Sequence, residues 1–342
     1  MTEFNPMPNG MSQTLGDMTQ TQGAAGQRQA MGSETASGLT ITHETVYRYP
    51  LRVEQAHHLG YLRPLDLPDQ TLESFSLVIE PQPSHCVTEK DIYGNSRSIF
   101  ELYAPHESLR VCAISRVWVR ARFGGVELAS SLSWERVAHE LRYVSGGKFR
   151  SEVEFVFASP YIPIHAELRD YALQSFTPGR PLTESAIHLM HRIHEDFTYE
   201  SYSTDVSTPL LEAFSTRRGV CQDFAHVMIG CLRAIGLAAR YVSGYLMSQP
   251  PPGQARLIGA DASHAWVSVH VPQLGVNDDW LDLDPTNDMV PGACHVVLAA
   301  GRDYGDVTPL RGVIRGGGGH DLSVAVTVAP DFEPITGCST GN

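Results

Sequence analysis

A cysteine, a histidine and an aspartate in the second half of the chain have the types and order of a nucleophile, its base and an orienting acid. Cys221 begins a segment whose apolar residues recur with the 3.6-residue period of an α-helix, up to Gly236. Unpaired N–H groups and the helix dipole favour negative charge in the first turn of a helix. The thiolate is the reactive form of cysteine, so this position predicts a nucleophilic Cys221. The alternative is a buried apolar residue, as expected for Cys231 on the same helix.

A cysteine nucleophile needs a base, and the base needs a group that orients it. His264 begins a segment in which side chains alternate with period two, which predicts a β-strand with the histidine at its start. A second short strand follows and ends at Pro285, and Asp282 and Asp284 share one of its faces. The predicted order is a cysteine on a helix, a histidine opening one strand and an aspartate closing the next. Spacing alone does not decide between the two aspartates.

Three motifs together resemble the bacterial transglutaminase-like family, whose members are often described as cysteine proteases. The motifs are RRGVCQDFAH, DASHAWV and WLDLDPTN. Segments similar to the family also include LTITHETVYRYP, DIYGN, STDVSTPLLEAF, RYVSGYL and GRDYGDVTPLRGV, so the resemblance covers residues 39–329. It implies a papain-like arrangement with Cys221 as the nucleophile, His264 as the base and Asp284 as the orienting acid. The Asp-Pro-Thr context is what selects Asp284 over Asp282.

The resemblance implies chemistry through a thioester. A thiolate attacks a peptide or carboxamide carbonyl, the amine leaves, and the fate of the thioester decides the reaction. Water gives a cysteine protease or amidase, whereas an amine gives transglutaminase-type transfer to a glutamine carboxamide. We favour hydrolysis, because bacterial relatives are usually interpreted that way. The expected partner is a peptide, protein or amide substrate. A catalytically inactive binding scaffold is the alternative from another class, and the presence of all three residues argues against it.

The oxyanion formed during such a reaction needs hydrogen-bond donors. The backbone N–H of Cys221 is one candidate, and Gln222 or Tyr202 is a candidate for the second donor. Trp266 is expected to line the cleft or to pack in the core. Two polar residues on the helix could contact the site or make structural hydrogen bonds: Asp223 and His226.

The sequence predicts an α+β protein with two domains. Alternating patterns and turn signals predict a sandwich-like antiparallel β domain, and the resemblance implies a papain-like, transglutaminase-like α+β catalytic domain after it. The first residues are rich in Met, Gln, Gly, Thr and Ser, so they cannot bury enough apolar surface to fold. Met31 is an alternative start of the native protein, which would then lack residues 1–30. The predicted divisions are a disordered extension at 1–38, the β domain at 39–125, a linker at 126–160, the catalytic domain with the C-terminal strands at 161–329, and a flexible tail at 330–342.

Composition narrows the location and the partners. The net charge of −13 argues against general nucleic-acid binding, although Arg217 and Arg218 could form a local basic groove. No apolar run approaches the ~20 residues of a membrane helix, and no secretory signal opens the chain. Six scattered cysteines are typical of free thiols in a reducing compartment, so we predict a cytoplasmic protein without a membrane partner. The sequence makes no prediction of oligomeric state.

The 15 histidines do not predict a metal site. His57 and His58 are expected to be ordinary strand residues, because no other ligands stand at useful spacing. Three further histidines stand at every third residue of one predicted helix. This spacing drifts around the helix axis and completes no metal-binding motif. That series is His188, His191 and His194. We therefore predict neither a metal ion nor a cofactor.

Overall fold

The computed structural model describes residues 2–3, 36–123, 131–147, 150–200, 208–247 and 263–331. The described helices are α1 Trp134–Glu140, α2 Ala166–Leu173, α3 Leu182–Asp196, α4 Leu210–Thr216 and α5 Cys221–Ala234. The described strands are β1 Thr2–Glu3, β2 Ser37–Gly60, β3 Gln70–Glu80, β4 His85–Lys90, β5 Ser96–Leu102, β6 His106–Val119, β7 Thr198–Tyr199, β8 Arg218–Gly219, β9 Ala239–Leu246, β10 Ser263–His270, β11 Trp280–Leu283, β12 His295–Gly301, β13 Leu310–Gly316 and β14 Asp321–Pro330.

The N-terminal region is an antiparallel sheet built around the long strand β2. The first half of β2 pairs with β6 and β14, and the second half pairs with β5 and β13. Strand β3 extends the first half beyond β6, and β4 extends the second half beyond β5. Residues of both halves share one apolar core, which includes Val53, Phe100 and Val111. The predicted fold class, an antiparallel β region followed by an α+β region, is confirmed.

The last two strands join the N-terminal sheet and not the region with which the sequence grouped them. We placed them in the catalytic domain at 161–329, but β13 and β14 pair with β2 of the N-terminal sheet. A strand as long as β2 exposes unpaired backbone along both edges, and the C-terminal strands cover the edges that β5 and β6 leave open. Their alternating pattern predicts strands but does not say which sheet they join.

The region predicted as a linker at 126–160 contains packed structure where it is described. It holds α1 and a 3-10 turn at Ser151–Val156, and Val137 and Phe155 are buried in the main core. The carbonyl of Phe155 accepts a hydrogen bond of 2.9 Å from the buried Arg233 side chain on α5. This segment therefore packs against the central helix.

Helix α5 lies against a four-stranded antiparallel sheet of order β11-β10-β9-β12. Its residues from Asp223 to Arg233 are buried, as the apolar pattern predicts for a helix enclosed on most sides. Gly236 ends the helix in the left-handed region, with a φ of 86°. The N–H of Gly236 bonds the carbonyl of Arg233, and that of Leu237 bonds the carbonyl of Leu232. This is the Schellman arrangement expected for a glycine after the last turn.

The cysteines differ in one respect from the expectation of free thiols. The thiols of Cys86, Cys112, Cys221 and Cys231 are free, but Cys294 is disulfide-bonded, and its partner is not among the described residues. The expectation is therefore wrong for Cys294. Disulfide formation depends on the approach of two Cβ atoms in space, which the spacing of cysteines along the chain does not reveal.

The two sheets are joined by buried polar side chains. Arg122 follows β6 in the chain, and its guanidinium bonds both Asp69 and Asp282. Only 6% of the arginine side chain is exposed. Ser268 on β10 also donates to Asp282, at 2.5 Å. Asp282 therefore belongs to the contact between the sheets, where its charge is compensated by a buried cation.

We expect Arg122→Ala to lower the free energy of unfolding by about 3 kcal/mol, because the buried Asp282 carboxylate and the half-buried Asp69 carboxylate lose their cation. Urea unfolding followed by circular dichroism measures this change. Arg120→Ala is the matched control, since the Arg120 side chain is exposed and donates to the Pro68 carbonyl. Equal stability losses in the two variants would contradict the role of Arg122.

Candidate active site

The N-terminus of α5 presents Cys221 as its first helical residue. Val220 is the N-cap residue, and its N–H donates to the Asp223 carboxylate at 2.8 Å. A Cβ at Gly219 would lie 2.6 Å from that carboxylate, so the cap requires a glycine there. The first N–H groups of a helix have no intrahelical acceptor, so the N–H of Cys221 is available to a negatively charged group.

His264 is the second residue of β10 and lies beside the thiol. It pairs across the sheet with Gly244 of β9, and its ring is 9% exposed. Its Nε2 is 2.7 Å from Asp284 Oδ2, and its side chain is also hydrogen-bonded to Cys221. Because Asp284 engages Nε2, we assign the contact with the thiol to Nδ1. The structure therefore brings all three predicted residues together.

Asp284 is fully buried and accepts hydrogen bonds at both oxygens. Its Oδ1 accepts from the backbone N–H groups of Thr286 at 3.0 Å and Asn287 at 3.2 Å. Its Oδ2 accepts from His264, from the Asn287 amide at 2.8 Å and from His295 Nε2 at 3.1 Å. Asp282, two residues earlier, bonds Arg122 and Ser268 instead. The geometry thus distinguishes the two aspartates that spacing leaves equivalent.

The charges of His264 and Asp284 stabilise each other. Burial alone would lower the pKa of His264, but the Asp284 charge and the hydrogen bonds to Asp284 and Cys221 raise it well above its usual value. Burial would raise the pKa of Asp284, but the charge and hydrogen bond of His264 and the hydrogen bond of His295 hold it well below its usual range. An imidazolium beside a carboxylate is therefore the stable state near neutral pH.

The remaining predicted site residues have different positions. Gln222 is half-buried in the first turn of α5, next to Cys221. Trp266 is fully buried behind the two histidines, where its ring is 6.1 Å from that of His264, so it packs in the core. Tyr202 lies outside the described residues.

Four residues near the triad are not predicted from the sequence. Asn287 and His295 bond Asp284, and burial followed by the Cys221 charge raises the pKa of Tyr241. Burial raises the pKa of Tyr304, and the charges of Tyr47, Tyr161 and Cys221 contribute less. His295 carries a signal that could have been used, since it opens a strand as His264 does. The pattern does not show that β10 and β12 flank the same strand β9.

Asp223 and His226 have structural hydrogen bonds. Asp223 caps α5, as described above. His226 is 4% exposed, and its Nε2 accepts the backbone N–H of Tyr304 at 3.2 Å. Burial, followed by the charge of Arg233, lowers the pKa of His226 to about 3, so the ring is neutral.

The histidine pairs and the basic residues noted in the sequence have separate partners. His57 faces Glu101, whereas His58 is buried against Phe100. The Arg217 guanidinium lies over the Phe214 ring, and Arg218 pairs with Glu200, so both bases have partners. The three histidines of α3 contact Ser175, Asp288 and the Thr286 carbonyl.

One described group of donors has a spacing that a metal ion could use. The ligand atoms of His264, Asp284 and His295 lie within 4.8 Å of one another. The Nε2 atoms of His264 and His295 also lie at hydrogen-bond distance from the same oxygen, Asp284 Oδ2. Two N–H groups that donate to one carboxylate oxygen account for this arrangement. The absence of a metal ion remains a prediction.

Comparisons with known proteins agree with this fold. Residues 39–118 match the bacterial transglutaminase-like N-terminal region, and residues 169–285 match the transglutaminase-like superfamily. An uncharacterized protein of Mycobacterium tuberculosis is 41% identical over 293 residues, which cover 85% of this chain and 92% of that protein. The chain belongs to the bacterial transglutaminase-like family.

Two further relatives extend the comparison. A protein-glutamine gamma-glutamyltransferase of Pseudomonas aeruginosa is 32% identical over 138 residues, which are 38% of this chain and 20% of that protein. A solved structure from Cytophaga hutchinsonii, named as a candidate cysteine protease, covers 88% of this chain and 93% of its own, with a TM-score of 0.66 and 19% identity. The latter similarity shows the shared fold. Among the described residues, no helix has the length and apolar character needed to cross a bilayer.

We expect Asp284→Asn to lower the pKa of His264, because the carboxylate charge is lost and burial of the ring remains. The midpoint should fall to or below the ordinary value of about 6.5. Ring ¹⁵N NMR of histidine-labelled protein measures it, with His264 assigned through His264→Gln. Asp282→Asn, two residues earlier on β11, is the control and should leave the midpoint high. An unchanged midpoint in Asp284→Asn would mean that Asp284 does not stabilise the imidazolium.

Proposed function

We propose that the protein is a cysteine-dependent hydrolase of peptide or amide bonds, acting through a thioester on Cys221. The observation that carries the proposal is the hydrogen-bonded series of Cys221, His264 and Asp284 at the N-terminus of α5. A peptide, protein or amide-bearing molecule is the proposed substrate. Membership of a superfamily of enzymes supports chemistry over a purely binding role.

The first half of the proposed reaction forms the thioester. The Cys221 thiolate attacks the carbonyl carbon, and the developing oxyanion accepts the Cys221 backbone N–H. The carbon–nitrogen bond then breaks, and the His264 imidazolium gives its proton to the departing amine. The fixed Asp284 charge favours the imidazolium before this step and keeps the ring oriented during it.

The second half releases the acyl group. Neutral His264 removes a proton from water, whose oxygen attacks the thioester carbon. The carbon–sulfur bond breaks, so the acid leaves and the thiolate and imidazolium are restored. Transfer to an amine, which releases an amide, follows the same steps with a nitrogen nucleophile. The Pseudomonas relative named as a protein-glutamine gamma-glutamyltransferase is the observation that favours this second candidate function.

Cys221→Ala should lower turnover of a responsive peptide or carboxamide by at least about 10³-fold, because no nucleophile remains to form the thioester. The screen reads new carboxylates by mass spectrometry. Cys86→Ala removes an exposed thiol that is distant from Cys221 in the sequence, so this variant should retain turnover. Turnover that survives in Cys221→Ala would refute the nucleophile. If iodoacetamide labels wild-type Cys221 no faster than Cys86 at acidic pH, the result would favour the inactive scaffold.

The choice between water and amine requires a competition experiment. Turnover in H₂¹⁸O with an added primary amine gives either an ¹⁸O-labelled acid or an amide of the added amine. We expect the labelled acid to predominate, because the proposed base can activate water directly. Predominant amide formation would replace hydrolysis with the transglutaminase-type reaction while leaving the thioester step intact.

We also retain the cytoplasm as the proposed location, on the basis of the free thiols of Cys86, Cys112, Cys221 and Cys231. The disulfide at Cys294 argues in the opposite direction. Thiol trapping after cell fractionation tests the location. A reduced Cys294 in the cytoplasmic fraction supports it, and an oxidised Cys294 in an extracytoplasmic fraction overturns it.

A further inference from the structure

His295 is a second buried histidine on the carboxylate of the candidate triad. It opens β12, opposite Leu246 of β9, and its side chain is 2% exposed. Its Nε2 is 3.1 Å from Asp284 Oδ2, the same oxygen that His264 approaches at 2.7 Å. The roles assigned to the triad do not account for this second contact.

The surroundings of His295 indicate which protonation state it adopts. An ionised carboxylate only accepts hydrogen bonds, so Nε2 must carry the proton and donate it to Asp284. The other nitrogen, Nδ1, is buried and has no hydrogen-bond partner among the described residues. An imidazolium would therefore bury an unpaired N–H, which is unfavourable. The neutral ring with its proton on Nε2 leaves only an acceptor unpaired.

Other groups near His295 also favour the neutral ring. Burial lowers the pKa of His295, and the hydrogen bond and charge of Asp284 oppose this effect. The positive charges of His264 on β10 and Arg122 after β6 lower it further. A second cation at the same carboxylate would repel the first.

The ring of His295 is also fixed in place. It lies edge-on to the fully buried Trp266, with centroids 5.3 Å apart and planes at 83°. An added Cβ at Gly244 would lie 2.4 Å from the Trp266 ring and 2.1 Å from the Val296 carbonyl, so the glycine allows both to approach. Packing therefore aims Nε2 at Asp284 before any substrate binds.

We propose that His295 is a positioning residue, a permanently neutral donor that fixes Asp284 Oδ2 and keeps the carboxylate ionised so that the charge remains on His264. The inference rests on the proposed function of the Cys221 site. Without the donor, Asp284 binds a proton more readily, and a protonated Asp284 no longer favours the His264 imidazolium. His295 acts through Asp284 and touches neither the thiol nor the substrate in this proposal.

The test measures iodoacetamide labelling of Cys221 against pH in the full-length protein. His295→Phe keeps a planar ring but removes the donor. The acidic limb of the curve of labelling rate against pH should therefore move to higher pH, and the labelling rate near pH 5 should fall by about tenfold or more. His295→Gln retains an N–H donor and should restore most of the rate. His270→Phe is the matched control, because His270 is buried in the same sheet with its ring 5.3 Å from that of Trp280. It should behave as wild type.

Two outcomes of labelling overturn the proposal. One is an unchanged limb in His295→Phe, and the other is an equal shift in His270→Phe. Metal analysis of the purified protein gives a third such outcome. If the wild type holds one equivalent of metal and His295→Phe has lost it, His264 and His295 are metal ligands and the proposal fails. If His295→Phe does not fold, ring ¹⁵N NMR of the wild type decides. A neutral ring protonated on Nε2 from pH 5 to pH 8 supports the proposal, and an imidazolium refutes it.

Failure of the proposed function gives a different result. If wild-type Cys221 is labelled as slowly as Cys86 and no substrate turns over, the thioester chemistry fails. The NMR state of His295 still supports or refutes the neutral donor on Asp284 in that event. Rapid wild-type labelling together with an unchanged His295→Phe profile rejects only the role of His295.

Discussion

The structure of the site depends on one buried carboxylate. Asp284 is fully enclosed, and an ionised group in such a place is stable only when its oxygens are fully hydrogen-bonded. Backbone N–H groups after β11, the Asn287 amide and two histidines provide these bonds. The charge held there makes the His264 imidazolium favourable. The reactivity proposed for Cys221 therefore begins with the enclosure of Asp284, two residues away from the salt-bridged Asp282.

The N-terminal region bonds the strand that carries His295. Gln70, at the start of β3, exchanges two hydrogen bonds with the backbone of Val297, at 2.9 and 2.7 Å. Asn95 does the same with Ala300, at 2.8 Å in both directions. These amides satisfy the outer edge of β12, the strand that carries His295. A sheet that lacks predicted chemistry thus fixes the strand behind the site.

The sequence predicts the elements of the site better than their neighbours. Helix α5 and strand β10 have strong periods, and Cys221 and His264 lie at their N-terminal ends, so local rules locate them. Asp284 needed the family motif, because period two places Asp282 on the same face. His295 could not be assigned from the pattern, since its role depends on β12 lying beside β9. For the same reason, the sheet of β13 and β14 follows from long-range pairing and not from their own residues.

Two histidines on one carboxylate differ in charge because their other nitrogens differ in partners. The ring of His264 has Asp284 at Nε2 and the thiol at its other nitrogen, so a cation there has an acceptor at each end. Among the described residues, the ring of His295 has a hydrogen-bond partner only at Nε2, which is Asp284, and its buried Nδ1 has none. Burial disfavours charge at both positions, yet only His264 has the contacts that outweigh it. The number of partners, more than depth in the core, therefore determines which ring can hold the proton that the proposed thioester chemistry requires.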